Sequence, residues 1–345
     1  MLADRVGAGG LRSGRLLAAA LIGISVAWGD VGAAGEIVAA PMDARPITSF
    51  LPGSGDTRFG AFEFLGGLEL SSSERLFGAW SSIRLTDDGR KFIGVLDTGH
   101  WLTGSIKRDP SGRLAGLDDV TIAPMLDAAG RSSAPKRTVD AESLALRGDE
   151  AFVGFEQVHR VTGYSPLSTI ETARPFLRAL PLPFPAGRLR GNGGIETLAV
   201  ASQDGPLKGG LVAIAEKSVD SDGNLFAGIL DGPLKGGFRV VPHDGFDVTD
   251  GDFLPDGDML LLERRFTIAT GVAMRLRRIE AASLKPGAVV DGEIILEANG
   301  SAEIDNMEGL DTFVAADGST HVILVSDDNH SILQRTVMLE FRLVD

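Results

Sequence analysis

The stretch GNGGIETLAV, residues 191–200, sets three glycines and an asparagine ahead of a carboxylate, Glu196, and then runs apolar. One such phrase would mean little, but related ones recur: GAWSSIRL (78–85), DAESLAL (140–146), DVTDGDFL (247–254) and NMEGLDTF (306–313). Aligned on their acids, they superpose Ser82, Glu142, Glu196, Asp250 and Glu308, at intervals of 60, 54, 54 and 58 residues. Each is followed by a glycine-acid turn: Asp88-Gly89, Gly148-Asp149, Asp204-Gly205, Asp256-Gly257 and Asp317-Gly318. Such pairs supply the positive backbone angles that tight hairpins need. A second apolar run comes next (KFIGVLD, AFVGFE, GLVAIAE, MLLLE, HVILVSD), ending in Asp97, Glu156, Glu216, Glu263 and Asp327. Two more strand-like runs complete the unit, as LFAGIL and GFRVV do after the third.

Four strands in roughly 55 residues, repeated with hairpin punctuation, describe a β-propeller blade. The expectation is an all-β propeller of five blades, each of four antiparallel strands, with residues 36–60 leaving room for part of a sixth. AFEFLGGLEL (61–70) is expected to pair with TVMLEFRLV (336–344), so that N- and C-terminal strands close the ring and remove exposed sheet edges.

The chain has 345 residues, of which 43% are hydrophobic, so it has ample material for a core. Its net charge of −14 argues against nucleic acid, whose binding requires neutralising phosphates with Lys and Arg. With no cysteine, disulfides, thiolate chemistry and lipoprotein anchoring are excluded. Residues 1–34 read as a signal peptide: Arg5, Arg12 and Arg15 precede the apolar LLAAALIGISVAW, and VGAAGE offers cleavage near Ala33 or Ala34. The apolar run is too short to span a bilayer comfortably, so no stable membrane insertion is expected. What remains, 35–345, reads as one domain, periplasmic or secreted, and a monomer is expected.

The first strand of a propeller blade lines the central channel, so the recurring acids should converge at one mouth. Such a ring needs compensation, because each carboxylate raises the pKa of the next. Structural ion pairs are one solution, with Glu263 meeting Arg264 or Arg265 and Glu216 meeting Lys217. A hard cation is the other, and calcium suits several oxygen ligands from different strands. Serine-nucleophile chemistry lacks support, since no G-x-S-x-G elbow is present. No P-loop, dinucleotide fingerprint or H-E-x-x-H motif occurs either.

The blocks TDDGRKFIGVLDTGHWL, DAESLAL with FVGFEQVHRV, GNGGIETLAV, FLPDGDMLLLERR, and DNMEGLDTF with SDDNH resemble the phytase-like family, exported bacterial proteins described by an esterase-like activity of phytase. The resemblance spans roughly residues 45–345 and implies a propeller with phosphoric-ester hydrolase activity. The better characterised propeller phytases hold phosphate and activate water with calcium in an acidic channel mouth. Carried onto this chain, the metal ligands would come from Glu142, Glu196, Asp250 and Glu308, with Asp97, Glu156, Glu216, Glu263 and Asp327 around them. Ser82 departs from that pattern. Arg264, Arg160, Lys217 and Arg265 would take phosphate oxygens, and His100 or His330 would protonate the leaving group. The substrate would be a small anion, a phosphate ester arriving as its calcium complex. Two rival readings stay open: a non-catalytic calcium-binding propeller that binds a ligand or an envelope protein, and a metal-dependent lactonase or carboxylesterase.

Overall fold

The computed structural model describes residues 36–132 and 135–344, so the expected signal segment and its cleavage site lie outside the described residues. Five sheets form five blades. From channel to rim, the first blade is Trp80–Thr86, Lys91–Leu96, His100–Arg108 and Leu114–Pro124. The second is Ala141–Arg147, Glu150–Phe155, Arg160–Ser165 and Arg174–Leu177, and the third Ile195–Val200, Leu211–Val219, Leu225–Ile229 and Gly236–Val240. The fourth is Asp247–Phe253, Met259–Thr267, Gly271–Ile279 and Glu293–Asn299. The fifth is Met307–Val314, Thr320–Ser326, Thr336–Leu343 and, from the other end of the chain, Phe62–Ser72. The five innermost strands neighbour one another in a closed cycle around the channel.

Closure occurs as the sequence suggests: Thr336–Leu343 pairs antiparallel with Phe62–Ser72, in a register running from Thr336 opposite Leu70 to Leu343 opposite Phe62. Residues 36–60 do not begin a sixth blade. Val38–Ala39 adds to the rim of the first blade and Met42–Ile47 to that of the fifth, so a single strap bridges the outer edges of these two neighbouring blades.

Five apolar clusters fill the five wedges between neighbouring blades. Between the fourth and fifth, for example, Leu260, Leu262, Met274 and Leu276 meet Val322, Leu324, Leu339 and Phe341, all fully buried. Each such side chain contributes roughly 1.5–3 kcal/mol by leaving water. Stability therefore resides in the wedges, which leaves the channel free to hold polar groups.

Every innermost strand carries a β-bulge against its neighbour at the equivalent place, between Trp80 and Ser82, Ala141 and Ser143, Ile195 and Thr197, Val248 and Asp250, and Met307 and Gly309. The extra residue is left out of the ladder and its side chain is re-aimed. These residues are Ser81, Glu142, Glu196, Thr249 and Glu308, so the register differs from the acid-on-acid alignment in the first and fourth repeats. Ser82 and Asp250 fall one step deeper into the channel. In the same frame, the residues closing the second strands are Asp97, Glu156, Glu216, Arg264 and Asp327, and Glu263 points to the other face of its sheet.

Candidate functional site at the channel mouth

The glycines of the 191–200 stretch now have a reason. The backbone N–H groups of Gly193 and Gly194 both donate to one carboxylate oxygen of Glu156, at 2.6 and 3.1 Å. A Cβ on Gly194 would lie 2.9 Å from His159 Nδ1 and 3.0 Å from Glu156 Cγ. Only glycine lets the third blade approach the second closely enough to make this contact. Two residues later, the bulge turns Glu196 into the mouth.

Two carboxylate triplets result, Asp140–Glu142–Glu156 and Glu156–Glu196–Glu216, each with ligand oxygens within 4.8 Å of one another. Glu156 belongs to both. Glu308 and Asp327 approach from the fifth blade and Asp97 from the first, close enough to influence Glu142 or one another. Basic groups line one side: Lys217 Nζ lies 2.8 Å from Glu216, and Arg264 Nε lies 3.0 Å from Glu308. Lys136, on the one-turn helix Lys136–Val139, reaches Asp97 at 2.8 Å.

Acids outnumber bases, and burial makes the excess costly. Burial, reinforced by Asp140, Asp97, Glu156 and Glu308, pushes the Glu142 carboxyl well above its ordinary range. Burial acts likewise on Glu196, with Glu142, Glu216, Glu308 and Glu156 adding to it. Glu216 is pushed up to about 7 by burial, even though Lys217 and Arg264 oppose the shift. Asp140 is raised to about 6 by burial, with Lys136 opposing and Asp97 and Glu156 reinforcing. Among the described residues neither Glu142 nor Glu196 accepts a side-chain hydrogen bond, although Glu196 is only 6% exposed. Glu142 is half-buried, and carboxylates this close together with so little solvent call for an ion or a proton to offset their charge. The donor set is all oxygen, which fits a hard divalent cation.

Deeper in the channel lies a charge centre that the sequence reading did not anticipate. Arg84, fully buried, donates to both oxygens of Asp250 (2.9 and 3.0 Å) and to the carbonyls of Ile83, Leu198, Gly251 and Leu310. Ser82 Oγ donates to the same carboxylate at 2.8 Å. One guanidinium thus ties four blades together and plugs the channel beneath the mouth.

The sequence model of the phytase-like family, described as esterase-like activity of phytase, matches residues 75–330, which contain this whole arrangement. The chain belongs to the phytase-like family. That description associates it with a hydrolytic kind of chemistry, and the acidic clusters are able to hold a metal ion. No curated protein matches the chain. Among solved structures it is similar to an endo-arabinase from Bacteroides thetaiotaomicron, at 12% identity over 77% of this chain and 94% of that one, with a TM-score of 0.48. It is also similar to a Thermus thermophilus protein assigned as an oxidoreductase (glucose dehydrogenase), at 12% identity over 86% and 100% of the two chains, with a TM-score of 0.33. Among the described residues no helix is long and apolar enough to cross a membrane.

In this phytase-like protein the mouth gathers Asp97, Glu142, Glu156, Glu196, Glu216, Glu308 and Asp327, together with Lys217 and Arg264. Asp250 is not among them: it is held by Arg84 below. Nor is Glu263, which is clamped between the fully buried Arg275 and Arg277 on the wedge face of the fourth blade. Arg265 shares that face, packing over the Phe246 ring at 4.5 Å and donating to the Asp244 carbonyl. Arg160 turns away from the carboxylates and donates to the Thr138 and Val158 carbonyls. His100 stands beside Asp97 with Nδ1 3.0 Å from Thr98 Oγ1; burial lowers its pKa while Thr98 and Asp97 oppose the shift. His330 occupies an exposed turn of the fifth blade packed against Gly78. The sequence reading missed Asp140 and Lys136, both on the connection between the first two blades.

Proposed function

We propose that the protein is an exported, calcium-dependent hydrolase of phosphoric esters working at the carboxylate mouth. The observation that carries this reading is the pair Glu142, half-buried, and Glu196, buried, neither accepting a side-chain hydrogen bond among the described residues and together within reach of three further acids. With Asp140, Glu156 and Glu216 they would hold the ion. Bound calcium would offset the charge of a phosphate group and lower the pKa of a water molecule beside it.

The chain's own residues divide the mouth into two sides. Acids of the first three blades form the cation side. Lys217 and Arg264, held in place by Glu216 and Glu308, face them and would orient phosphate oxygens, the planar guanidinium by paired hydrogen bonds. Arg84 closes the channel floor, so substrate enters and leaves by the mouth alone.

The test is hydrolysis of an aryl phosphate, inositol hexakisphosphate, a lactone and an aryl acetate, each with calcium and with chelator. Phosphate release that is lost on chelation and in Glu196→Gln supports the reading. Cleavage of the lactone or acetate alone would replace it with a carboxylic-ester hydrolase. No turnover together with calcium-dependent melting would leave a binding role.

A further inference from the structure

Beside the mouth, between the connection after the first blade and the third and outer strands of the second, lies a cavity of about 310 Å³. Its chemistry is opposite to that of the mouth. Met125, Val139 and Pro175 give it apolar walls. Arg160 and Arg178 border it, and neither has a carboxylate partner among the described residues. The acid in its lining, Asp127, is already paired with Arg131 at 2.8 Å. Arg160 is held rigidly, its guanidinium 3.9 Å over the Phe155 ring and its N–H groups on two backbone carbonyls.

Tyr164 supplies the second observation. It is 5% exposed, its ring meets Trp101 edge-on at 5.3 Å, and it lines the cavity. Its hydroxyl has no hydrogen-bond partner among the described residues. The ring is buried while the hydroxyl is not one of the fully buried polar atoms, so it remains free to donate to a ligand in the cavity. A phenol donor and a fixed guanidinium without a counter-ion therefore open onto one apolar-walled space, in a chain whose net charge is −14.

We propose that this cavity binds an organic oxyanion, a phosphate monoester or a carboxylate carried on a compact apolar body, with Arg160 and Tyr164 taking the oxyanion. Binding here needs neither the metal nor turnover, so it goes beyond the hydrolase reading. The two sites lie close: Thr138, whose carbonyl anchors Arg160, is two residues from Asp140 of the mouth.

Calorimetric titration of the full chain in metal-depleted buffer tests it, with phenyl phosphate, benzoate and neutral phenol as probes. Saturable binding of phenyl phosphate or benzoate is expected, with phenol weaker by about tenfold or more, since it lacks the charge-assisted hydrogen bonds. The tighter of the two anions identifies the head group. Arg160→Gln should weaken the anion by roughly 10–100-fold and Tyr164→Phe by about 3–10-fold, as expected for a charged and a neutral hydrogen bond. Glu196→Gln should leave this binding unchanged. If Arg160→Gln does not fold, Tyr164→Phe and Arg178→Gln carry the test. The proposal is overturned if phenol binds as tightly as the anions, if these variants leave affinity unchanged, or if no anion binds up to about 10 mM, a limit close to the weakest specific affinities.

Discussion

Replacing Glu196 with Gln should raise the midpoint of the metal-free protein and blunt its response to calcium, and the size of each effect can be worked from the mouth. The ligand oxygens of Glu156, Glu196 and Glu216 lie within 4.8 Å of one another. At an effective dielectric constant of about 20, two unit charges at that separation repel by roughly 3–4 kcal/mol. Protonating one carboxylate instead costs about 1.4 kcal/mol for each unit between solution pH and the ordinary pKa of 4.5, or roughly 4 kcal/mol at about pH 7.5. Neither route is cheap, so the strain in the metal-free wild type is on the order of 3–4 kcal/mol. Glutamine keeps the shape and removes the charge. In a domain of this length 1 kcal/mol moves the midpoint by roughly 1.5–2 °C, so the metal-free variant should melt about 5–8 °C higher than wild type. Calcium narrows the gap. At about 100 times its dissociation constant it adds ~2.7 kcal/mol to wild type; a variant with tenfold weaker affinity keeps only ~1.4 kcal/mol. Thermal scanning in metal-depleted and calcium-containing buffers reads both shifts. A variant that melts lower without metal, or that responds to calcium as fully as wild type, would refute the reasoning.

The raised carboxyl groups also fix a pH dependence. Asp140 and Glu216 have folded values of about 6 and about 7, against ordinary values of 3.8 and 4.5, so between those limits the folded state binds more protons than the unfolded. Their contribution is present at low pH and fades as pH rises through about 7, so metal-free protein should melt higher at about pH 5 than at about pH 8, and calcium should help more at the higher pH. A metal-free midpoint that climbs toward pH 8 would contradict this. Arg84→Met should cost about 3–5 kcal/mol, or roughly 5–8 °C, by leaving Asp250 and Asp311 buried without their cation. Urea unfolding measures that loss, and a change under about 1 kcal/mol would show that the channel floor does not depend on the pair. Glu263→Gln should destabilise for the same reason, leaving Arg275 and Arg277 short of charge, while the calcium-dependent rise in midpoint stays as in wild type. Loss of that rise would return Glu263 to the metal site. Lys217→Gln should lower aryl phosphate turnover more than it lowers calcium affinity, as steady-state rates at saturating calcium would reveal.

The propeller was legible because its signals are local: a glycine-acid turn and a hydrophobic run can be read from one segment at a time. The mouth was legible only in part, because a bulge displaces the chain by one residue and nothing in the composition of DVTDGDFL marks where it falls. Matching acid to acid put Asp250 beside Glu196. The physically informative residue was the one before the bulge, an apolar side chain facing a wedge: Trp80, Ala141, Ile195, Val248 and Met307 are all buried. Had those been aligned, Thr249 would have fallen at the mouth and Asp250 one step below it. Arg84 would then have stood level with Asp252 and Asp311, a charge match visible in the sequence. The same shift exchanges Glu263 for Arg264 at the end of the second strand. The fourth blade therefore gives the mouth a cation where the second and third give acids, and this asymmetry is what the proposed function uses to separate a metal side from an anion side. A fivefold ring of identical acids would repel any phosphate. On the proposed function, one blade out of register with the others in charge, though not in backbone, would let a divalent ion and a phosphate group share the opening.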